Sequence, residues 1–282
     1  MTATQDYALV TGASFGIGEE FARQLAARGW SLILVARSGD RLERLRENLL
    51  AVHPDLDIRC VAADLSAPDA AAKLFAETQA AGLNVTLLVN NAGFGAFGEF
   101  VSLARERQRR MIDLNVGALL ELTHLYMQPM HRLSEDRRRR GGIINIASVA
   151  GYIPLPYSTV YAATKAFVRS FSLALFEEAR QGGVHVMVVN PGTTSTNFFE
   201  VAGKSPYNHP LRMQTAAQVV SEALLAFEQG KRSVVTGAVN RWTVRMTKLI
   251  PAALITLAIG QLVRRSMQQS SGSHERAKDS VL

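Results

Sequence analysis

Cysteine is nearly absent from this sequence. Cys60 stands alone among 282 residues, so no intrachain disulfide can form. It follows "DIR" in a strand-like run and reads as a buried, inert thiol, compatible with a reducing, cytoplasmic setting. Metal-ligand spacing is missing too. His53, His124, His131, His185 and His209 are scattered and His274 lies in a polar tail, so no metal site is expected. The first strand-like run begins at Tyr7, which leaves no room for a secretory signal or an N-terminal membrane anchor. Most of the chain also lacks a charge excess. Residues 1–230 hold 22 Lys+Arg and 22 Asp+Glu, while residues 231–282 hold 9 and 2. The net charge of +7 therefore belongs to the tail, and no nucleic-acid-binding face is expected on the main body.

Apolar residues, at 48%, argue against disorder, and the length suits one large domain. Seven apolar runs punctuate the chain: "YALVTG", "SLILVAR", "DIRCVAADL", "VTLLVNNAG", "GIINIAS", "VHVMVVNPG" and the shorter "RSVVTG". Near-continuous Val, Ile and Leu is the pattern of strands covered on both faces. Helix-period segments such as "GEEFARQLAARG" lie between them. The alternation predicts an α/β fold with a Rossmann-type doubly wound parallel sheet of about seven strands. The globular unit is expected over 1–237, an apolar and basic helical tail over 238–267, and disorder from 268 to 282. No internal repeat or long linker is visible. "EDRRRRGG" (Glu135 to Gly142) reads as a solvated loop and helix end.

The first turn, "TGASFGIGEEF", spaces Gly12, Gly16 and Gly18 as G-x-x-x-G-x-G. Glycine serves where backbone must take positive φ or approach a ligand closely. A helix start just behind such a turn welcomes an anion, and dinucleotides bind at this edge of doubly wound sheets. A plain tight turn is the alternative. At the end of the second run, Arg37 follows Ala36 where an acidic residue would suit a cofactor without a 2′-phosphate. An arginine there favours NADP over NAD, or simply caps an exposed edge.

Further on, "PYSTVYAATKAF" places Tyr161 four residues before Lys165, one helical turn apart. A phenol ordinarily titrates near ~10. A fixed positive charge nearby pulls it toward neutrality and suits it to proton exchange with an alcohol or carbonyl.

These motifs, in this order, resemble the short-chain dehydrogenase/reductase family in its short-form branch, over about residues 5–237. "TGASFGIG" is similar to the family's cofactor turn, contributing Gly12, Ser14, Phe15, Gly16, Ile17 and Gly18. Asp64 and Leu65 resemble its adenine-contact pair. "NNAG" resembles its fourth-strand motif, with Asn91, Ala92 and Gly93. "PGTTST" resembles its nicotinamide segment, with Pro191, Gly192, Thr193 and Thr196. Asn115, Ser148, Tyr161 and Lys165 match its catalytic tetrad. The turn spacing differs from the G-x-x-G-x-x-G usual in extended-branch epimerases.

The resemblance implies an NADP-dependent oxidoreductase acting between a carbonyl and a secondary alcohol. Tyr161 would be general acid or base. Lys165 would lower the phenol pKa and hold the nicotinamide ribose. Ser148 would bond the substrate oxygen, and Asn115 would anchor a water leading from Lys165. It also implies a homodimer or homotetramer. A silent NADP-sensing protein on the same fold is the alternative, and this chain keeps the tyrosine and lysine that such proteins often lose.

Tyr157 and the aromatics of "NAGFGAFGEF" are candidate pocket walls, and "FFEVAGKSPYNHPL" (Phe198 to Leu211) is a candidate lid over an apolar substrate. In the tail, basic residues flank the 15-residue run "LIPAALITLAIGQLV", which is short of the ~20 residues of a spanning helix. It either packs on its own domain or a partner subunit, closing the pocket, or lies on a membrane surface through residues 241–265, or spans. The expected location is cytoplasmic, with a peripheral membrane contact as one of these readings.

Overall fold

The computed structural model describes residues 5–135, 141–195, 213–247 and 249–279. All seven expected runs are strands of one parallel sheet. They are β1 (Asp6–Thr11), β2 (Ser31–Ala36), β3 (Ile58–Ala62), β4 (Asn84–Asn90), β5 (Gly142–Ile146), β6 (His185–Asn190) and β9 (Ser233–Val235). Their order is β3-β2-β1-β4-β5-β6-β9. Two residues each of β7 (Thr194–Ser195) and β8 (Gln214–Thr215) form a small second pairing that the sequence pattern does not announce.

Strand side chains alternate between two cores, as the pleat requires. Ala8, Val10, Leu32 and Leu34 meet Phe21 and Leu25 of α1 (Gly16–Ala26), Leu42 and Leu45 of α2 (Gly39–Val52) and Leu224 of α7 (Ala216–Glu228). Tyr7, Leu9, Ile33 and Val35 belong to the opposite core. There they join Leu74 of α3 (Ala70–Ala80), Leu122 and Tyr126 of α5 (Leu119–Glu135) and Ala179 of α6 (Thr159–Gln181). Burial on both faces is why the strands read as unbroken apolar runs. The order reverses between β1 and β4, and the crevice beyond their carboxyl ends is where a doubly wound sheet binds ligands.

Helix α4 (Arg105–Ile112) passes through a π-helical turn at Asp113–Ala118 into α5. After β9 come α8 (Ala238–Thr247) and α9 (Ala252–Asp279). The helix continues past 268, where the sequence reading expects disorder. No proline interrupts residues 268–279. Among the described residues no single helix is long and apolar enough to cross a membrane. The pair α8 and 252–265 reaches that length and composition only together, across a 120° bend.

Candidate active site

The turn between β1 and α1 is locked from behind by the end of β4. Asn91 Nδ2 donates to the carbonyls of Thr11 at 3.0 Å and Gly12 at 3.3 Å. Thr11 Oγ1 accepts the N–H groups of Asn91 and Ala92, each at 3.0 Å, and donates to the Val89 carbonyl at 3.3 Å. A Cβ on Gly18 would lie 2.2 Å from the Gly12 carbonyl oxygen, so only glycine lets α1 start this close to the strand. No side chain caps α1, whose preceding residue Phe15 is extended. Its unsatisfied N–H groups and positive dipole end stand beside a cavity of about 350 Å³ lined by Gly12, Phe15, Gly16 and Ile17.

The same cavity reaches Ser148, Tyr161 and Lys165. Ser148 follows β5 and caps a 3-10 turn (Val149–Tyr152), its Oγ accepting the Ala150 N–H at 3.1 Å. A Cβ on Gly151 would lie 2.6 Å from the Lys165 carbonyl. That glycine therefore lets the Ser148 turn lie against α6, where Tyr161 hydrogen-bonds Ser148. Lys165 is buried, and its Nζ donates to the Ile146 carbonyl at 2.8 Å and lies 5.8 Å from the centre of the Tyr161 ring.

Asn115 sits in the π-helical turn. Its Nδ2 donates to Phe94 O at 2.9 Å and Thr164 Oγ1 at 3.1 Å, and its Oδ1 accepts the Phe94 N–H at 3.1 Å. The widened turn re-aims this side chain inward, so the irregularity and the site are one feature. Thr164 Oγ1 in turn donates to the Tyr161 carbonyl at 2.7 Å. Asn115 is thus tied to the helix that carries Tyr161 and Lys165.

The electrostatics differ from the expectation. Burial pushes the Tyr161 phenol up to about 12, against the Ser148 hydrogen bond, and brings the Lys165 ammonium down to about 8. The Lys165 ammonium is turned to the Ile146 carbonyl, and desolvation dominates both groups.

Farther along the crevice, Asp64 Oδ1 accepts from Ser66 N at 3.0 Å and Ser66 Oγ at 2.6 Å, and Oδ2 pairs with Arg110 at 3.0 Å. Burial would raise this carboxyl. The Ser66 bonds, then Arg110 and Arg37, outweigh it and hold the group below the usual range. Arg37 is exposed at the end of β2, and Leu65 is buried in the core beneath.

Of the residues expected at the site, Asn91, Ala92, Gly93, Pro191, Gly192 and Thr193 line the cavity with the glycine turn and Ser148, Tyr161 and Lys165. Ser14, Gly18, Arg37, Asp64, Leu65 and Asn115 lie outside its lining. Thr196, the segment 198–211 and Arg137 to Arg140 fall outside the described residues. Tyr157 is not a wall: it sits at φ 63°, with its carbonyl accepting the Gly98 N–H at 2.9 Å. Phe97, Tyr152, Ile153 and Leu155 line the space instead. Thr243, Val244 and Thr247 of α8 complete the wall. The start of the tail thus packs on its own domain. Thr11 and Thr164 went unnoticed in the sequence because a strand-end or mid-helix threonine carries no motif.

A short chain dehydrogenase family model matches residues 6–205. The very-long-chain 3-oxoacyl-CoA reductase of Rattus norvegicus is 34% identical over 201 residues, covering 70% of this chain and 62% of the relative. The chain thus spans less than two thirds of that relative. A short-chain dehydrogenase from Sphingobium yanoikuyae, solved in complex with NADPH, superposes with a TM-score of 0.76 at 30% identity, covering 86% of this chain and 93% of that one. The bulky-bulky ketone specific alcohol dehydrogenase from Comamonas testosteroni does so with a TM-score of 0.73 at 28% identity, covering 87% and 92%. With this match over most of its length, and with the glycine turn and the Ser148, Tyr161 and Lys165 cluster on one cavity, the chain belongs to the short-chain dehydrogenase family.

Proposed function

We propose that this protein is an NADP-dependent oxidoreductase acting between a carbonyl and a secondary alcohol on an apolar substrate. The observation that carries this reading is the convergence of the Ser148 hydroxyl, the Tyr161 phenol and the buried Lys165 ammonium on the cavity bordered by the uncapped start of α1. The residues fit a dinucleotide. Bare N–H groups at a helix start suit a pyrophosphate. Among the described residues Lys165 has no carboxylate partner and is held by one backbone carbonyl, leaving further N–H donors for ribose hydroxyls. The nicotinamide, when bound, supplies hydride or accepts it.

The chain's own residues do the rest. Tyr161, at about 12, keeps its proton at neutral pH and is poised to donate it to a carbonyl oxygen. Ser148 Oγ shares in the same hydrogen-bonding group and stabilises charge developing on that oxygen. Asn115 holds α6 in place through Thr164. Phe97, Ile153, Leu155 and Val244 exclude water and suit a bulky apolar ketone or a 3-oxoacyl chain, the classes named for the relatives.

The catalytic unit is placed at 1–237, with 238–267 as an appended element. Its assembly is a homodimer or homotetramer. Its location is cytoplasmic. The test is NADPH absorbance with purified protein and a panel of bulky ketones, aldehydes and 3-oxoacyl thioesters. Consumption with at least one is the expected result. NADPH binding without consumption across the panel would favour a sensor.

Arg37 is proposed to hold the 2′-phosphate. Losing one charge-assisted contact costs about 1.5–3 kcal/mol. Arg37→Ser is therefore expected to lower kcat/KM for NADPH by about 10- to 100-fold and leave NADH unchanged. Equal loss with both cofactors would remove this role.

A further inference from the structure

Among the described residues nothing covers the outer face of α9 or the corner between α8 and α9. Trp242, Leu249, Leu254, Leu257 and Leu262 are 58% to 75% exposed. Positions 254, 257, 258, 261, 262 and 265 share one side of the helix. The opposite side holds buried Val263 and Gly260, and a Cβ on Gly260 would lie 3.6 Å from Pro156. Pro156 directly follows Leu155 of the cavity wall. Helix α8, just before, supplies Thr243, Val244 and Thr247 to the same wall. Trp242 and Leu249, at the corner between the two helices, therefore flank the α8 residues that line the cavity. A monomeric surface rarely leaves such a patch without use.

The charge around the patch has one sign. From Gln229 to His274 the sequence has no Asp or Glu but carries Lys231, Arg232, Arg241, Arg245, Lys248, Arg264 and Arg265. Arg241 pairs with Glu222 at 2.8 Å. Arg245, Arg264 and Arg265 form no ion pair among the described residues, and all three are exposed. A second copy of the chain is a poor occupant, because a two-fold contact would bring these arginines toward their own equivalents. An anionic lipid surface is a good one. It accepts leucines and a tryptophan below its headgroups and arginines among them.

We propose that the outer face of α9 and the α8–α9 corner dock on an anionic bilayer, and that the cavity takes its apolar carbonyl substrate from that bilayer. The second clause rests on the cavity's being the substrate site; the first does not.

Full-length protein would be sedimented with phosphatidylcholine vesicles with and without phosphatidylglycerol. It would be compared with Leu254→Gln/Leu257→Gln/Leu262→Gln and with Arg264→Gln/Arg265→Gln. All five positions are exposed, so the fold should persist, which a melting curve checks. Binding to anionic vesicles is expected to be about tenfold or more tighter than to neutral ones, and to weaken with salt. It should fall by about tenfold in each variant, and the Trp242 emission of the wild type should shift to the blue on binding. Turnover of a small water-soluble ketone should be the same in all three proteins. Turnover of a long-chain ketone held in vesicles should fall about tenfold in the variants. Equal sedimentation of wild type and variants, or a wild type that ignores vesicles, would overturn the docking. So would variants that instead lose a higher assembly in sedimentation velocity. Vesicle binding with equal long-chain turnover in all three would overturn the uptake. Vesicle binding with no turnover of any ketone would overturn the cavity reading and leave the docking standing.

Discussion

Tyr161→Phe is expected to abolish most turnover and leave NADPH binding in place. The substitution removes one hydroxyl and keeps the ring that lines the cavity. Ser148 loses a partner but still accepts the Ala150 N–H at 3.1 Å, so no buried hydroxyl is orphaned, and stability should change by under about 1 kcal/mol. What goes is the proton. A positioned general acid contributes about 10²–10⁴-fold, and kcat should fall by that much while the KM for NADPH stays within about twofold. Steady-state NADPH absorbance beside NADPH fluorescence titration reads both. A variant that keeps turnover would move the proton source elsewhere on the cavity wall.

Lys165→Met is expected to make the protein more stable and inactive at once. Lys165 is buried and its value falls from an ordinary 10.5 to about 8. Below pH 8 the native state carries a charge that the unfolded chain would keep in water, and this lowers stability. Between pH 8 and 10.5 the native state sheds the proton first, the unfolded chain binds more protons, and the penalty fades as pH rises. The gap between the two values is worth about 3 kcal/mol. Leaving the Ile146 carbonyl without its donor returns about 1 kcal/mol of that. Methionine, flexible and apolar, should thus raise stability by about 2 kcal/mol at pH 7 and by much less at pH 10. Turnover should drop by about 10²-fold or more, with weaker NADPH binding, because the charge near the phenol and ribose is lost. Denaturant melts at the two pH values and steady-state kinetics check this. A variant less stable at pH 7 would mean that the lysine is there to hold the fold.

The legible parts of this molecule were those written in local pattern. Strands buried on both faces leave continuous apolar runs, and all seven runs became strands of one parallel sheet. A turn that must bring α1 against Gly12 leaves glycines, and Gly18 was visible for that reason. Tyr161 and Lys165 sit one helical turn apart, so spacing alone placed them on one side of α6. What spacing could not show was solvent. The pair reads as a lysine lowering a phenol, yet burial raises the phenol and turns the lysine to Ile146. Desolvation depends on everything packed around a group, and none of that is local.

The sequence by itself determined the doubly wound sheet, the glycine turn at its edge and the one-turn spacing of Tyr161 and Lys165, because each follows from periodicity or short-range spacing; Asn115 and Ser148 were legible only through the family resemblance. Only the tertiary structure decided which residues close the cavity. Tyr157 lies outside its lining, Tyr152 and Leu155 lie within it, and three residues of α8, some 80 positions after Tyr161, became its wall. It also decided that Thr11 ties β1 to β4 and that Thr164 ties Asn115 to α6. Those contacts join segments distant in the chain, and it is the crossovers of the sheet that bring them within hydrogen-bond reach.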